Sequence, residues 1–193
     1  MGFEGLAIVG AILVFVYFLI FTLAVTMYIF HSLGLYTLAK RRGIPNPGLA
    51  WVPVGNAWIL GSLADQYMGY AERRETAYRK ILLGLSIAAY GIGLLAGGLG
   101  GVRLPYLLSY SSRFQAFNMG GFIGIYLILW VVGVVFAVFR YIALYRLFKS
   151  CQPNNATLFL ILSILISVTQ PFILFAIRNK DDGMHRESQW NSL

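Results

Sequence analysis

Charge is scarce in this chain. Only 11% of its 193 residues are charged, against roughly 25% in an average soluble domain. Acids are the scarcer sign, with seven Asp and Glu against fifteen Lys and Arg. Such a sequence cannot cover a globular surface with solvated side chains, which excludes an ordinary soluble domain. Cysteine occurs once, at Cys151, so an intramolecular disulfide and a cysteine metal cage are both excluded. Histidine occurs twice, at His31 and His185. No His, Cys, Asp and Glu cluster has metal-ligand spacing, so neither a metal nor a cofactor is expected. No span holds paired carboxylates, no Gly-rich loop fits a phosphate, and no Ser sits in a Ser-His-acid pattern. The chain therefore reads as non-enzymatic.

What is present is apolar. Hydrophobic residues make up 59% of the chain and the mean hydropathy is +0.72. Long uncharged runs recur, which makes this an integral membrane protein of the all-α class. The net charge of +8 sits in short loops, where lipid headgroups and the positive-inside rule account for it. No basic helix or aromatic-basic platform lies outside the apolar runs, so nucleic acid is not an expected partner. The opening MGFEG carries no basic residue, so a cleavable signal peptide is not expected.

Three runs are long and unbroken enough to cross: 6–30, 81–101 and 119–139. The first continues as helix to Lys40-Arg41-Arg42, where Gly43 suits the left-handed residue that ends a helix and Pro45 and Pro47 prevent continuation. Two further apolar segments are interrupted. In 49–64 the break is Pro53-Val54-Gly55-Asn56, and in 156–177 it is Thr169-Gln170-Pro171. A straight helix over the 16 residues of 49–64 would reach only about 24 Å, short of the ~30 Å hydrocarbon core. Residues 65–80 read as a polar loop or interfacial helix, 102–118 as a helix lying at the surface, and 178–193 as a mobile polar tail.

Charge distinguishes two topologies. If all five segments cross as a helical bundle, the basic residues divide 8 to 7 between the two sides. If the two interrupted segments are re-entrant or interfacial hairpins that return to their own side, the division is 13 to 2, with only Arg103 and Arg113 opposite the rest. The second arrangement obeys the positive-inside rule. It expects one polytopic domain over residues 1–193, with the N-terminus outside and the C-terminus in the cytoplasm.

A short internal similarity adds to this. Leu35-Tyr36-Thr37-Leu38-Ala39-Lys40 matches Leu144-Tyr145-Arg146-Leu147-Phe148-Lys149, and His31 falls opposite Arg140. Each is followed by Pro-Asn and an interrupted segment, as in a parallel repeat. Chance similarity of common membrane residues explains the match about as well as duplication does.

The pattern AKRRGIPNPGLAWVPVGN, with Lys40, Gly43, Trp51, Pro53 and Asn56, resembles an uncharacterised family of small bacterial membrane domains, some fused to signal peptidases. The end PFILFAIRNKDDG is similar to the tails of related small proteins of Gram-positive gut bacteria. The resemblance implies a multi-spanning fold in a bacterial cytoplasmic membrane. It carries no activity and no catalytic residues.

The candidate polar site is the pair of breaks: Pro53, Gly55 and Asn56 with Thr169, Gln170 and Pro171. Broken helices at membrane depth can present backbone and amide groups to a solute or ion; such groups can equally cap helix ends. Gly93, Gly97 and Gly101, and Gly120 and Gly124, recur every four residues and would let another helix approach. Lys40, Arg41, Arg42, Arg140, Arg146 and Lys149 are assigned to headgroups. His31 and Asp65 are placed at the interface. The expected role is a helix-packing component of a membrane assembly, bound to lipid, to a second copy or to a partner. The alternative is a small-solute or ion transporter or channel centred on the two breaks.

Overall fold

The computed structural model describes residues 3–71, 73–107 and 112–184, with side-chain surroundings for 8–71, 73–95 and 124–184. The described residues form α1 (Phe3–Arg41), α2 (Pro53–Ala71), α3 (Tyr78–Leu107), α4 (Ser112–Cys151), α5 (Ala156–Leu165) and α6 (Thr169–Ile177), with 3-10 turns at Pro47–Trp51 and Pro153–Asn155 and no strand. Three stretches are long and apolar enough to cross a membrane: Ile8–Arg41, Tyr78–Leu95 and Gly124–Cys151. The protein is thus an all-α membrane protein.

Helix α1 ends as its sequence requires. Gly43 adopts φ 68, its N–H reaches the Lys40 carbonyl at 3.4 Å, and the Ile44 N–H reaches the Ala39 carbonyl at 2.9 Å. These two bonds form the Schellman motif, and buried Ile44 supplies its apolar contact.

Specific contacts fix the direction of every later element against α1. From Gly43 the chain climbs back along α1, until Tyr28 donates its hydroxyl to the Trp51 carbonyl. Helix α2 then descends beside α1, and the Gln66 amide donates to the Arg42 carbonyl at 3.0 Å. Helix α3 climbs again, starting with Arg79 against Gly61, where an added Cβ would lie 2.5 Å from the Arg79 Cα. Helix α4 descends beside it, with Arg146 5.2 Å over the Tyr78 ring. Helix α5 climbs from Phe159, whose ring packs edge-on to Phe148 at 5.9 Å. Helix α6 descends along α1: Phe172 and Phe175 stack on Phe30, Leu174 abuts Gly34, and the Arg178 carbonyl accepts from Arg41. Segments 43–71 and 152–178 each return to the end of the bundle they left. The two matched six-residue stretches run in the same direction, and their Leu35, Leu38, Ala39, Leu144, Leu147 and Phe148 are all fully buried.

The interrupted segments are built differently from the sequence expectation. The first is no helix broken in its middle. Pro53 is the first residue of α2, where proline lacks no needed hydrogen bond. The ascending arm is the stretch before it, which holds the 3-10 turn Pro47–Trp51, and α2 runs unbroken past Ala64 to Ala71, so 65–71 follows the helical alternative for 65–80 as part of α2. The second does break, but at Ile166-Ser167-Val168; Pro171 sits in the first turn of α6, where it is tolerated. The surface helix expected over 102–118 is divided between the ends of α3 and α4. Residues 108–111 and the side chains of that stretch lie outside those described.

Among the described residues the buried core lies at the basic end of the bundle. Leu35, Leu38, Leu60, Leu63, Leu147 and Leu174 meet there among α1, α2, α4 and α6. In contrast, every residue of α1 from Ile8 to Val25 is exposed. That half is apolar on all sides, as a lipid-facing helix must be.

Candidate functional site

Above the core, five elements leave a cavity of about 580 Å³. The descending half of α1 contributes Met27, Tyr28 and His31, and the start of α2 contributes Pro53 and Asn56. Tyr90 of α3 and Phe136, Arg140 and Tyr141 of α4 form the facing wall. The tip between α5 and α6 closes it with Ser167, Gln170 and Pro171. A neighbouring hollow of about 250 Å³ shares Asn56, Tyr90 and Arg140 and extends along α3 to Ser86 and Ala89. The turn of each returning segment thus lines the same cavity, between the long helices.

Four of the six residues expected at the breaks line this cavity: Pro53, Asn56, Gln170 and Pro171. The other two serve structure. Gly55 packs under the Leu49 carbonyl, where an added Cβ would collide. Thr169 donates its hydroxyl to the Ile166 carbonyl at 2.7 Å and contacts the Leu162 carbonyl at 3.1 Å. It thereby adds a second donor to carbonyls that already accept the Ile166 and Thr169 N–H groups where α5 ends.

The cavity's polar groups lean to donors and positive charge. Arg140 is half-buried, and His31 is 6% exposed. Arg140, expected at headgroups, and His31, expected at the interface, both line this cavity, because α2 packs along α4 and α6 along α1. Gln170 is also 6% exposed, and its amide nitrogen has no hydrogen-bond partner. Among the described residues no carboxylate lines the cavity. The ion pairs of the described residues join Arg41 and Arg42 to Asp181. A lone guanidinium at this depth costs about 2.5–3.5 kcal/mol on insertion scales.

The remaining candidates divide. Lys40 is exposed and lies 5.9 Å over the Tyr36 ring. Lys149 is half-buried in the last turn of α4, and Arg146 covers Tyr78. Arg42 is not free for headgroups: its side chain is 5% exposed, and it donates twice to Asp181 Oδ1, at 2.9 and 2.8 Å. It also reaches Ser150 Oγ at 2.9 Å and Cys151 Sγ at 3.3 Å. The first residues of the expected mobile tail are therefore fastened, with the Asp182 and Gly183 N–H groups donating to the Cys151 and Ser150 carbonyls. Residues 185–193 lie outside those described.

Asp65 is a cap, not a site. It accepts from Thr76 Oγ1 at 2.6 Å, the Tyr78 N–H at 2.9 Å and the Arg79 N–H at 3.0 Å, which satisfies the start of α3. Among the described residues, an added Cβ at Gly93 or Gly124 meets nothing within 4 Å, so neither marks a close approach within the chain. The surroundings of Gly97, Gly101 and Gly120 lie outside those described. Among the described residues the close approaches fall at Gly34, Gly55, Gly61 and Gly183.

Sequence reasoning missed His31, Arg140, Tyr90 and Ser167 as site residues. One signal was available: the internal match set His31 opposite Arg140, and both now line one cavity. No family model matches this chain, and no curated protein or solved structure matches it either.

Proposed function

We propose that this is a multi-pass protein of the bacterial cytoplasmic membrane that binds a small polar solute between two re-entrant segments, as a transporter or channel does, without enzymatic chemistry. The carrying observation is the convergence of Asn56, His31, Arg140 and Gln170 on one cavity. Two chain reversals at membrane depth are costly unless protein or water satisfies the exposed backbone, and solute sites in transporters use such reversals. His31 lies ten residues before Arg41 on α1, about 15 Å along the axis. With the basic end at the headgroups, that is half of a ~30 Å hydrocarbon core.

The orientation belongs to the same reading. Lys40, Arg41, Arg79, Arg146, Lys149, Arg178 and Lys180 gather at one end, which supports a cytoplasmic C-terminus and an outside N-terminus. Membership of the bacterial family that residues 35–65 resemble is proposed with it. A second reading, a component that packs against a membrane partner or another copy, draws on the exposed apolar half of α1, Ile8 to Val25.

The test is solvent access to the cavity. In a Cys151→Ser background, Asn56→Cys and Gln170→Cys should react with a small membrane-impermeant thiosulfonate, while lipid-facing Phe18→Cys and Val131→Cys should not. Silence at Asn56→Cys and Gln170→Cys from both sides would leave the cavity as sealed packing and favour the partner reading. Exposed Glu75→Cys should label from the same side as Ser188→Cys, and Ser111→Cys from the other.

A further inference from the structure

We infer that the solute is an organic anion, recognised through its carboxylate or phosphate group by Arg140, Gln170 and His31. This rests on the reading of the cavity as a solute site and names the class of ligand. Arg140 brings a fixed positive charge into the cavity, and among the described residues the titratable groups beside it are His31, Tyr90 and Tyr141, none of them a carboxylate. A cation in low dielectric is stable only when a counter-charge or well-aimed acceptors satisfy it. The Gln170 amide nitrogen is a second vacant donor, nine-tenths buried and on the cavity wall. His31 supplies a third group able to donate. A carboxylate or phosphate accepts from all three, and a guanidinium matches such planar or forked oxygens through paired donors.

Size and lining exclude a bare inorganic ion as the best fit. The space of about 580 Å³ is far larger than one oxyanion needs, since a water takes about 30 Å³ of liquid volume. Its walls also include the apolar Met27, Phe136, Pro53 and Pro171. An oxyanionic head with an apolar or aromatic body satisfies both parts. A soluble organic acid and an anionic phospholipid headgroup share this chemistry.

The experiment is thermal unfolding of the full chain in neutral detergent. The soluble probes are phenyl phosphate and benzoate, with benzyl alcohol and benzylamine as neutral and cationic controls. The lipid probes are dioleoylphosphatidylglycerol and dioleoylphosphatidylcholine. At about a hundredfold excess over Kd, a bound anion should raise Tm by roughly 5–10 °C. Arg140→Gln should abolish the rise, Gln170→Leu should weaken affinity several-fold, and Arg140→Lys should retain part of it. A response to phenyl phosphate or benzoate supports a soluble anion. A response to phosphatidylglycerol alone, lost in Arg140→Gln, supports the same recognition of a headgroup. If Arg140→Gln does not fold, the anion-against-amine contrast in the parent and the loss in Gln170→Leu decide. Equal stabilisation by benzylamine or benzyl alcohol, lost in Asn56→Ala but not in Arg140→Gln, overturns the anion and keeps the solute site. No shift with any probe overturns the anion, and the solute site falls with it if Asn56→Cys and Gln170→Cys are also unreactive.

Discussion

Removing the Asp181 carboxylate should loosen the end of the chain and, through α6, the cavity. In the folded protein Asp181 Oδ1 accepts from Arg42 Nε and Nη2, and Oδ2 accepts from Arg41 Nη2 at 2.7 Å. The Arg41 side chain is 40% exposed, so its share is within the 0–1 kcal/mol typical of surface pairs. Arg42 decides the cost. Its side chain is 5% exposed, and breaking a buried pair by deleting one partner costs about 3–5 kcal/mol. Asp181 itself is 18% exposed, so water can reach the vacated position and the low end applies. Asp181→Ala should therefore cost about 3 kcal/mol, a Tm drop of roughly 6–12 °C for a chain of this size. The assay is thermal unfolding in detergent of the parent, Asp181→Ala, Arg42→Met and the double variant Arg42→Met/Asp181→Leu. Apolar replacement of both partners leaves no stranded charge, so the double variant should recover at least half of the loss. A drop below about 2 °C in Asp181→Ala, or simple additivity of the single variants, would refute a fastened tail.

Two glycine comparisons test the packing. Gly61→Ala places a methyl 2.5 Å from the Arg79 Cα and 2.6 Å from its nitrogen; α2 and α3 must separate, and Tm should fall by the equivalent of about 1–3 kcal/mol. Gly93→Ala and Gly124→Ala meet open space and should be neutral or gain up to about 1 kcal/mol from helix propensity; a loss in Tm together with a smaller particle by size-exclusion would identify a partner helix on that face. Gly43→Ala forces a side chain into φ 68 and should cost about 1 kcal/mol in the same unfolding assay.

Membrane class, the three long apolar helices and the end of α1 were legible in the chain, because each depends on local composition. Lipid requires an apolar run of known length, and the Lys-Arg-Arg-Gly-Ile-Pro order carries its own helix stop. That the two segments are interrupted was legible, but the positions were not: the expected breaks lie inside the first turns of α2 and α6. A proline marks where a helix cannot continue but not whether it ends one or begins the next, and Pro53 and Pro171 both lie in first turns. Pairings far apart in sequence left no local mark. Arg42 reads as a headgroup residue beside Lys40 and Arg41, and only the return of α6 along α1 brings Asp181 to it. Gly93 and Gly124 have the spacing of a packing face but meet nothing, while Gly61 has no such pattern and takes the Arg79 backbone.

The sequence by itself determined that this chain lives in a membrane and which segments are long enough to cross, since both follow from the solvation of short stretches; whether its basic residues gather at one end depended on how the two interrupted segments run. The tertiary structure alone decided that His31, Arg140, Asn56 and Gln170 line one cavity. Those four residues span more than half the chain, and only the packing of five elements sets how far each lies from water and from the others.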